Sequence, residues 1–316
     1  KIISKIKKTA EQKIKNCSDF MSFENCDIRN YDSIKDIFQR EILSGSEISW
    51  VIHCAGVKSV RESTIFPLKY WEQNVFGAIN ILKVMKYFNC KNIIFSSSAT
   101  IYDSSLENLI KEDNAVKTSN PYANTKYTIE LILNDIYKSD PGNWRIAALR
   151  FFNPIGAHSS GLLGENPSQK PNNIFPIINN VASGNEKILN IFGNDWDTPD
   201  GTCIRDYIHI EDIAEGHLKT LEFLNSNQSQ IVSFNLGTGI GTSVLKLVKT
   251  FEKVNKVKIP FIFSEKRPGD KSICIADNKL MKNVVNWSPK RDLNQMCKDG
   301  WRWQCSKHND LGLIKY

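Results

Sequence analysis

Short apolar runs alternate with longer stretches of helical periodicity along this chain. The apolar runs are 48–53, 92–95, 144–152 and 232–235. Because they are short, almost wholly apolar and bounded by turn residues, they are predicted to be buried parallel strands. The helical patterns cover 70–88, 121–136 and 243–255. This alternation predicts an α/β fold built on a parallel sheet.

Hydroxyl side chains follow the predicted strand 92–95, and a tyrosine and a lysine follow them. Ser98 is in the loop after the strand, while Tyr122 and Lys126 are one turn apart on a helix that begins near Pro121. A tyrosine is a poor base because its free pKa is about 10, but a lysine cation favours the phenolate and a serine can relay the proton. The three residues are therefore predicted to remove a proton from a sugar hydroxyl as hydride leaves its carbon. The short Tyr-x-x-x-Lys pattern alone would more often be a surface pair on an ordinary helix.

Composition limits the class of protein and its partners. The 316 residues are 41% hydrophobic and 24% charged, as in soluble globular proteins. The net charge is +7, but the basic residues are scattered apart from 1–15, so no nucleic-acid partner is predicted. Eight cysteines include no Cys-x-x-Cys pair, which predicts reduced thiols in the cytoplasm and no metal site. No apolar run is long enough for a membrane span, so no membrane partner is predicted either.

Several separate stretches of the chain resemble the extended short-chain dehydrogenase/reductase family. They are 26–29, 53–58, 96–102, 122–126, 150–154, 171–176 and 200–209. The resemblance implies a doubly wound NAD-binding Rossmann sheet with a smaller C-terminal α/β domain for the substrate. Within the family, the chain is most similar to isomerases that invert C4 of a UDP-hexose with bound NAD.

The resemblance also implies a division into domains. Residues 1–153 are expected to be a truncated NAD-binding Rossmann domain, and 154–316 a UDP-sugar-binding domain. The stretch from about 205 to 240 is expected to return to the main sheet. Loops lengthen after Asn153, which supports a boundary there.

The start of the chain departs from the family pattern. Residues 1–15 are predicted to be a helix and 19–23 a strand, but nothing before Asp27 matches the family's first strand, glycine-rich turn, helix and second strand. The chain is therefore expected to lack roughly 30 residues of that fold. Since the glycine-rich turn directs backbone N–H groups at the pyrophosphate, these 316 residues alone are expected to bind NAD poorly and to fold badly.

Family positions that bind the cofactor and the substrate can be matched residue by residue. The cofactor positions match Asp27, Ile28, Cys54, Ala55, Lys58, Asn74, Ser96, Tyr122, Lys126 and Phe152. The substrate positions match Lys58, Ser98, Tyr122, Asn153, Asn173, Ile174, Asn190, Phe192, Arg205, Tyr207, Arg267, Asp270 and Cys274. Arg205 and Arg267 also suit a diphosphate on chemical grounds, because guanidinium groups pair bidentately with phosphate oxygens. The ordinary role of a single arginine, however, is a surface salt bridge.

The resemblance implies a mechanism and a substrate range. The tyrosine, held anionic by the lysine and assisted by the serine, removes the 4-hydroxyl proton while hydride passes to NAD; the 4-keto sugar turns over and hydride returns to its other face. Cys274 stands where family members carry a bulky tyrosine or a small residue. A cysteine leaves space for an N-acetyl group, so UDP-GlcNAc and UDP-GalNAc are expected as further substrates, unless Cys274 is simply a packing residue. A homodimer through 70–88 and 127–136 is also implied.

Alternatives remain for the reaction and for individual residues. A sugar-nucleotide 4,6-dehydratase or decarboxylase shares the scaffold, but such enzymes usually carry an acidic residue where Ala99 and Thr100 follow Ser98 here. A non-catalytic fragment that binds nucleotide sugars is a second alternative. Asp27 would otherwise be a turn or helix-cap residue, and Asn74 a neutral helix residue.

A second glycine-rich stretch, 237–241, imitates a dinucleotide-binding turn. Its glycines are spaced two and two, not as Gly-x-Gly-x-x-Gly. It is therefore predicted to be a tight turn, followed by a helix that Thr242 or Ser243 caps.

Overall fold

The computed structural model of the protein describes residues 2–11, 14, 16, 20–103, 109–167, 171–267 and 269–310. Its helices are α1 (Ile2–Glu11), α2 (Tyr31–Leu43), α3 (Val60–Ile65), α4 (Pro67–Tyr70), α5 (Gly77–Tyr87), α6 (Pro121–Ser139), α7 (Ile174–Ala182), α8 (Ile210–Asn225), α9 (Val244–Asn255), α10 (Lys279–Val285) and α11 (Leu293–Asp310). Its strands are β1 (Val51–His53), β2 (Asn92–Ser98), β3 (Leu109–Ile110), β4 (Arg145–Phe151), β5 (Asn153–Ile155), β6 (Leu189–Phe192), β7 (Ile204–His209), β8 (Gln230–Leu236), β9 (Gly241–Ser243), β10 (Phe261–Ser264) and β11 (Ile273–Ala276). Within these residues, no helix combines the length and the apolar character needed to cross a membrane.

The main sheet is parallel and has the order β1-β2-β4-β8. Its central strands β2 and β4 are buried along most of their length because helices cover both faces. On one face, Phe95 belongs to a core cluster with Ile129 and Leu133 of α6. On the other face, Ile94 belongs to a cluster with Ile213 of α8. The predicted α/β fold with a parallel sheet is confirmed.

A second sheet is built mainly from the later part of the chain. Its path is β3-β11-β7-β5, β9 pairs antiparallel with β7, and β6 and β10 form a separate parallel pair. The chain passes between the sheets abruptly, since β4 ends at Phe151 and β5 begins at Asn153. The predicted return of 205–240 to the main sheet is right for β8 only. β7 instead lies in the second sheet, because β5, β9 and β11 supply its hydrogen-bonding partners.

Most predicted elements are present with shifted ends. The strand predicted over 92–95 continues through Ser98, and the strand predicted over 48–53 is limited to β1. The helix predicted over 70–88 is divided, because a π-helix occupies Trp71–Phe76 between α4 and α5. Single-turn π-helical insertions occur frequently at functional sites.

The strand predicted over 19–23 is wrong for its described residues, while Asp19 lies outside them. Residues 21–23 have no regular secondary structure, and Phe20 and Phe23 are 90% and 61% exposed. A strand needs a neighbouring strand for its backbone hydrogen bonds. Among the described residues, β1 at the edge of the main sheet pairs with β2 alone, so the apolar residues after Asp19 have no strand beside them.

Candidate active site

The start of α6 sets the positions of a tyrosine and a lysine. Asn120 caps the helix by accepting a hydrogen bond from the Ala123 N–H at 2.9 Å, and Pro121 is the first helical residue. Tyr122 and Lys126 then lie one turn apart, and both side chains are buried against the end of β2.

Ser98, Tyr122 and Lys126 meet at the carboxyl end of β2. The Lys126 Nζ donates to the Ser96 carbonyl over 2.8 Å and lies 6.0 Å from the centre of the Tyr122 ring. The Tyr122 hydroxyl is hydrogen-bonded to Ser98, whose hydroxyl oxygen also accepts from the Thr100 hydroxyl at 3.0 Å. The three residues predicted to be catalytic are thus brought together, and Ser96 and Thr100 hold two of them.

Burial changes the titration of these groups. It raises the pKa of the Tyr122 hydroxyl, while the hydrogen bond with Ser98 lowers it. Burial also lowers the pKa of Lys126 from 10.5 to about 8, against the opposing influence of Cys54 and Glu130. At neutral pH the phenol is therefore protonated and the lysine is charged. The lysine cation is then available to favour the phenolate when a proton has to be accepted.

The turn after β1 offers exposed residues close to this set. Cys54 and Ala55 are exposed at the carboxyl end of β1, where ligands of α/β sheets bind. Lys58 follows them and forms an ion pair with Glu165, with 2.6 Å between its Nζ and the glutamate Oε1. Small residues and a cation at this edge have the chemistry that a dinucleotide requires.

Asn74, inside the π-helix, fixes the shape of that turn. Its Oδ1 accepts from the Val57 N–H at 2.8 Å, and its Nδ2 donates to the Val57 carbonyl at 3.1 Å and to the Thr125 hydroxyl at 3.0 Å. Gly56 has a φ of +153°, and a Cβ there would lie 2.8 Å from the Asn74 Oδ1, so this position needs glycine. The bare backbone fits the close approach of NAD. Both amide hydrogens of Asn74 are donated to groups of the protein itself, so its predicted contact with the cofactor would have to be made by its Oδ1.

Asp27 and Ile28, matched to the adenine side of the cofactor, lie before α2. The Asp27 carboxylate accepts three hydrogen bonds from the Arg29 guanidinium, the shortest 2.7 Å long, and one from the Arg29 backbone N–H at 2.9 Å, and these lower the pKa of the carboxyl to about 2. Asn30 caps α2, so Asp27 is a turn residue and not the helix cap. Ile28 packs on Gly77, where a Cβ would lie 2.5 Å from the isoleucine Cδ1.

Four substrate candidates lie side by side on the second sheet. Arg205 of β7 is opposite Cys274 of β11, and Tyr207 of β7 is opposite Asn153 of β5. The Arg205 Nη1 donates to a backbone carbonyl of its own strand at 2.9 Å. Burial raises the pKa of the Cys274 thiol, so it is a neutral, compact group beside the arginine.

The other substrate candidates are on neighbouring strands and loops. The Arg267 guanidinium lies 4.7 Å from the centre of the Phe192 ring, and its Nε donates to Asp270 over 2.8 Å. Asn190, on the same strand as Phe192, accepts from the Ser264 hydroxyl at 3.1 Å. The remaining substrate candidates, Asn173 and Ile174, lie at the start of α7, and the cofactor candidate Phe152 is buried directly after β4.

Comparison with known proteins identifies the family. A model of the NAD dependent epimerase/dehydratase family matches residues 3–237. The chain belongs to this family. It is 44% identical to a UDP-glucose 4-epimerase of Bacillus subtilis (strain 168) over 92% of this chain and 83% of that protein.

Solved structures of family members agree with this assignment. A UDP-glucose 4-epimerase from Stenotrophomonas maltophila with bound NAD and formylated UDP-arabinopyranose has a TM-score of 0.87 and 37% identity, covering 91% of this chain and 84% of its own. The UDP-Glc/GlcNAc 4-epimerase from Campylobacter jejuni has a TM-score of 0.79 and 30% identity, covering 95% of this chain and 87% of its own.

A buried ion pair anchors α6, the helix that carries Tyr122 and Lys126, and sequence reasoning missed it. Arg150 of β4 and Glu130 of α6 are 2.6 Å apart, with side chains only 9% and 7% exposed. Arg150 also donates to the Tyr102 hydroxyl at 2.8 Å, and the Ser97 hydroxyl donates to Glu130 at 2.5 Å. Burial lowers the pKa of Arg150, but Glu130 outweighs it and the net pKa is raised. The charged Arg150 within the apolar run 144–152 is the feature of the sequence that could have indicated a buried ion pair.

The glycine-rich stretch 237–241 is a tight turn, as predicted. Gly239 has a φ of +73°, and the N–H groups of Thr238 and Gly239 donate to the Asp206 carboxylate at 2.8 and 2.9 Å. Ser243 caps α9 by accepting from a backbone N–H three residues later. The donors of this turn are therefore bound by the protein's own carboxylate.

Proposed function

We propose that this protein is an NAD-dependent isomerase that interconverts UDP-glucose and UDP-galactose by inverting C4 of the sugar. The observation that carries the proposal is the contact of Ser98, Tyr122 and Lys126 at the carboxyl end of β2. Membership of the NAD dependent epimerase/dehydratase family and 44% sequence identity to a UDP-glucose 4-epimerase support the same reaction.

Each residue of the set has a separate task in proton transfer. Lys126, held by a backbone carbonyl, keeps a positive charge near the Tyr122 ring and favours its phenolate. Ser98 is bonded to the Tyr122 hydroxyl and relays the proton of the sugar 4-hydroxyl to it. Thr100 donates to Ser98 and so orients the serine lone pairs. When bound, the nicotinamide of NAD supplies the hydride acceptor and donor that inversion at C4 needs.

The second sheet and the separate β6–β10 pair together supply the nucleotide anchor in this proposal. Arg205 and Arg267 pair with the diphosphate oxygens, because a guanidinium matches phosphate in a two-pronged geometry. Phe192, already under the Arg267 guanidinium, offers an aromatic face for the uracil. Inversion requires the sugar to turn over while UDP stays bound. In this proposal, UDP is therefore bound by one part of the structure and the proton is transferred by another, at the end of β2.

A labelling experiment tests the reaction. The full chain is incubated with NAD and UDP-galactose that carries deuterium at C4, and the product is analysed by NMR. UDP-glucose with deuterium retained at C4 is expected, because the hydride returns to the carbon that it left. Deuterium at C6 with loss of water would identify a 4,6-dehydratase instead. Binding of UDP without any turnover would favour the non-catalytic alternative.

We also propose that N-acetylated UDP-hexoses are substrates. Cys274 is a small side chain opposite Arg205 on the second sheet, and a relative with 30% identity is named for both UDP-Glc and UDP-GlcNAc. The variant Cys274→Tyr should lose turnover of UDP-GlcNAc and keep that of UDP-galactose, because the ring would fill the space beside the sugar 2-position. Cys203→Ala, which alters another buried thiol on the approach to β7, should leave the ratio of the two activities unchanged. Full turnover of UDP-GlcNAc by Cys274→Tyr would contradict this assignment.

A homodimer in the cytoplasm completes the proposal. Ile65, Phe66 and Leu68, around the junction of α3 and α4, are 59%, 55% and 81% exposed. Phe76 and Leu131, which lie within the two segments implied to form the dimer, are also exposed. Burying such apolar side chains against a second copy is favourable. The cysteines in the described residues are free, as is usual in the cytoplasm. Sedimentation of the chain should give the mass of two copies, and Leu68→Lys should give that of one.

A further inference from the structure

Ser96 binds the catalytic lysine with one polar group and a histidine with the other. Its carbonyl accepts from the Lys126 Nζ at 2.8 Å, and its hydroxyl oxygen lies 2.9 Å from the Nε2 of His217 on α8. The pairing of β1 with β2 ends at His53 and Phe95, one residue before Ser96. β4 continues to pair with β2 through Ser98, so in the described part of the chain the backbone at Ser96 has a neighbouring strand on its β4 side and none on its β1 side.

The hydrogen bonds of His217 have a definite direction. Its Nδ1 lies 2.8 Å from the Ile213 carbonyl, which can only accept, so Nδ1 carries the proton. In a neutral imidazole the Nε2 is then an acceptor, and the Ser96 hydroxyl must donate to it. Burial lowers the pKa of His217, which keeps the ring neutral at neutral pH. The Cys54 thiol, 3.1 Å from the Ser96 hydroxyl oxygen, is left as the donor in that contact.

The end of β2 is thus tied to the helix layers on both of its faces. Successive side chains of a strand point to opposite faces, so Ser96 and Ser97 diverge. Ser97 donates to Glu130 of α6, and Ser96 donates to His217 of α8. The first tie belongs to the helix that carries Lys126, whereas the second comes from the later half of the chain.

We propose that His217 is a positioning residue for Lys126, because it holds the Ser96 side chain so that the Ser96 carbonyl stays in place to receive the lysine ammonium. This inference rests on the proposed function, in which Lys126 supports Tyr122. His217 acts through Ser96, since its two hydrogen bonds in the described structure are with Ser96 and Ile213 and not with the tyrosine or the lysine.

Two amide substitutions separate the two hydrogen bonds of His217. Glutamine can place an acceptor where Nε2 lies and so keep the bond from Ser96, whereas asparagine can only reproduce the Nδ1 donor to Ile213. His217→Gln should therefore keep the wild-type kcat for UDP-galactose. His217→Asn should lower kcat by about tenfold, the effect of one lost buried hydrogen bond, with KM unchanged. Equal kcat values for the two variants would overturn the proposal.

An NMR titration gives a readout that does not depend on turnover. In the full chain with ¹³C-labelled lysine, the Lys126 signal is assigned by its loss in Lys126→Arg, and its pKa of about 8 in the wild type is followed. The charged and titratable groups around it, Cys54, Glu130 and His53, are the same in all variants. His217→Asn should lower the Lys126 midpoint, since the ammonium loses its placed acceptor, and His217→Gln should not.

A second variant guards against loss of folding. Ser96→Ala removes the hydroxyl but keeps the carbonyl, and it should shift the Lys126 midpoint in the same direction as His217→Asn, with no additional shift in the double variant. Additive shifts, or an unchanged midpoint in Ser96→Ala, would overturn the proposal. An inactive wild type that still shows the expected midpoints would instead refute the proposed reaction and leave the positioning role supported.

Discussion

The polar groups at the end of β2 differ in burial and in the reach of their partners from the charged groups along the predicted nucleotide path. By this path we mean the segments that carry the residues matched to the binding of NAD and the UDP-sugar. At the end of β2, Lys126, Glu130 and Arg150 are buried, and their bonds join strands and helices that are distant in sequence. Along the nucleotide path, Lys58 and Arg267 are exposed, while Arg29 and Arg205 are partly buried. Arg205 donates to a backbone carbonyl, and the other three cations are paired with local or surface carboxylates. Those ion pairs are Arg29–Asp27, Lys58–Glu165 and Arg267–Asp270.

The difference matches the work proposed for each region. A buried, fully bonded group costs several kcal/mol to disturb, so it is kept in one geometry before the substrate arrives. An exposed ion pair contributes at most about 1 kcal/mol, so a phosphate can replace one partner at little cost. The end of β2, where proton transfer is proposed, is therefore preorganised, while the nucleotide path is open to exchange of partners.

The largest expected effect is on catalysis. Tyr122→Phe removes the hydroxyl that accepts the proton, and kcat for UDP-galactose should fall by about 10³-fold or more, within the range of general acid–base catalysis. Tyr127→Phe, on the same helix but outside the hydrogen-bonded set, is the control and should stay within about twofold of the wild type. Measurable turnover near the wild-type rate in Tyr122→Phe would remove the tyrosine from the proposed mechanism.

The next effect is on stability. Arg150→Met leaves the Glu130 carboxylate buried without its partner and should lower the free energy of unfolding by about 3–5 kcal/mol, measured in urea. Arg145→Met, at the more open end of the same strand, should cost about 1 kcal/mol or less. Adding Glu130→Gln to Arg150→Met should recover part of the loss. If the two arginine variants were equally stable, the buried pair would not distinguish the two regions.

A third prediction concerns pH. The pKa of Lys126 is lowered by burial from 10.5 to about 8, so between these values the unfolded chain binds more protons than the folded chain. The destabilisation from the buried charge is complete below pH 8 and disappears as pH rises toward 10.5. Relative to Lys126→Met, the wild type should therefore gain about 3 kcal/mol of unfolding free energy across this window. Lys138→Met, at the exposed end of α6, is the control for removing a lysine from the same helix.

The same contrast explains what could be read from the sequence. Tyr122 and Lys126 were predicted because their relation is local, set by helix periodicity and a cap at Asn120. The roles of Arg150 and His217 were missed because their partners lie on elements remote in the chain. A charged residue within an apolar strand is a visible signal for a buried pair, but the sequence does not say which acid it meets.

Sheet membership was the weaker part of the fold prediction for a related reason. Strand character follows from a run of apolar residues, but a strand's partners are decided by tertiary packing. The residues after Asp19 have the composition of a strand and no neighbour in the described residues, and β7 pairs in the second sheet while β8 pairs in the first. Composition therefore predicted the α/β class and most elements, but not every pairing.

The smallest expected effect tests the exposed side of the comparison. Glu165→Gln removes the partner of Lys58, whose side chain is 66% exposed, and should tighten binding of NAD or UDP by no more than about fivefold, since exposed pairs contribute 1 kcal/mol or less. Titration calorimetry at two salt concentrations measures this, and the freed cation should make the salt dependence steeper. Glu222→Gln, which breaks the remote exposed pair with Lys219, should leave both quantities unchanged. If Glu165→Gln instead weakened binding, Glu165 would be holding Lys58 in place for its ligand, and the nucleotide path would be preorganised like the end of β2.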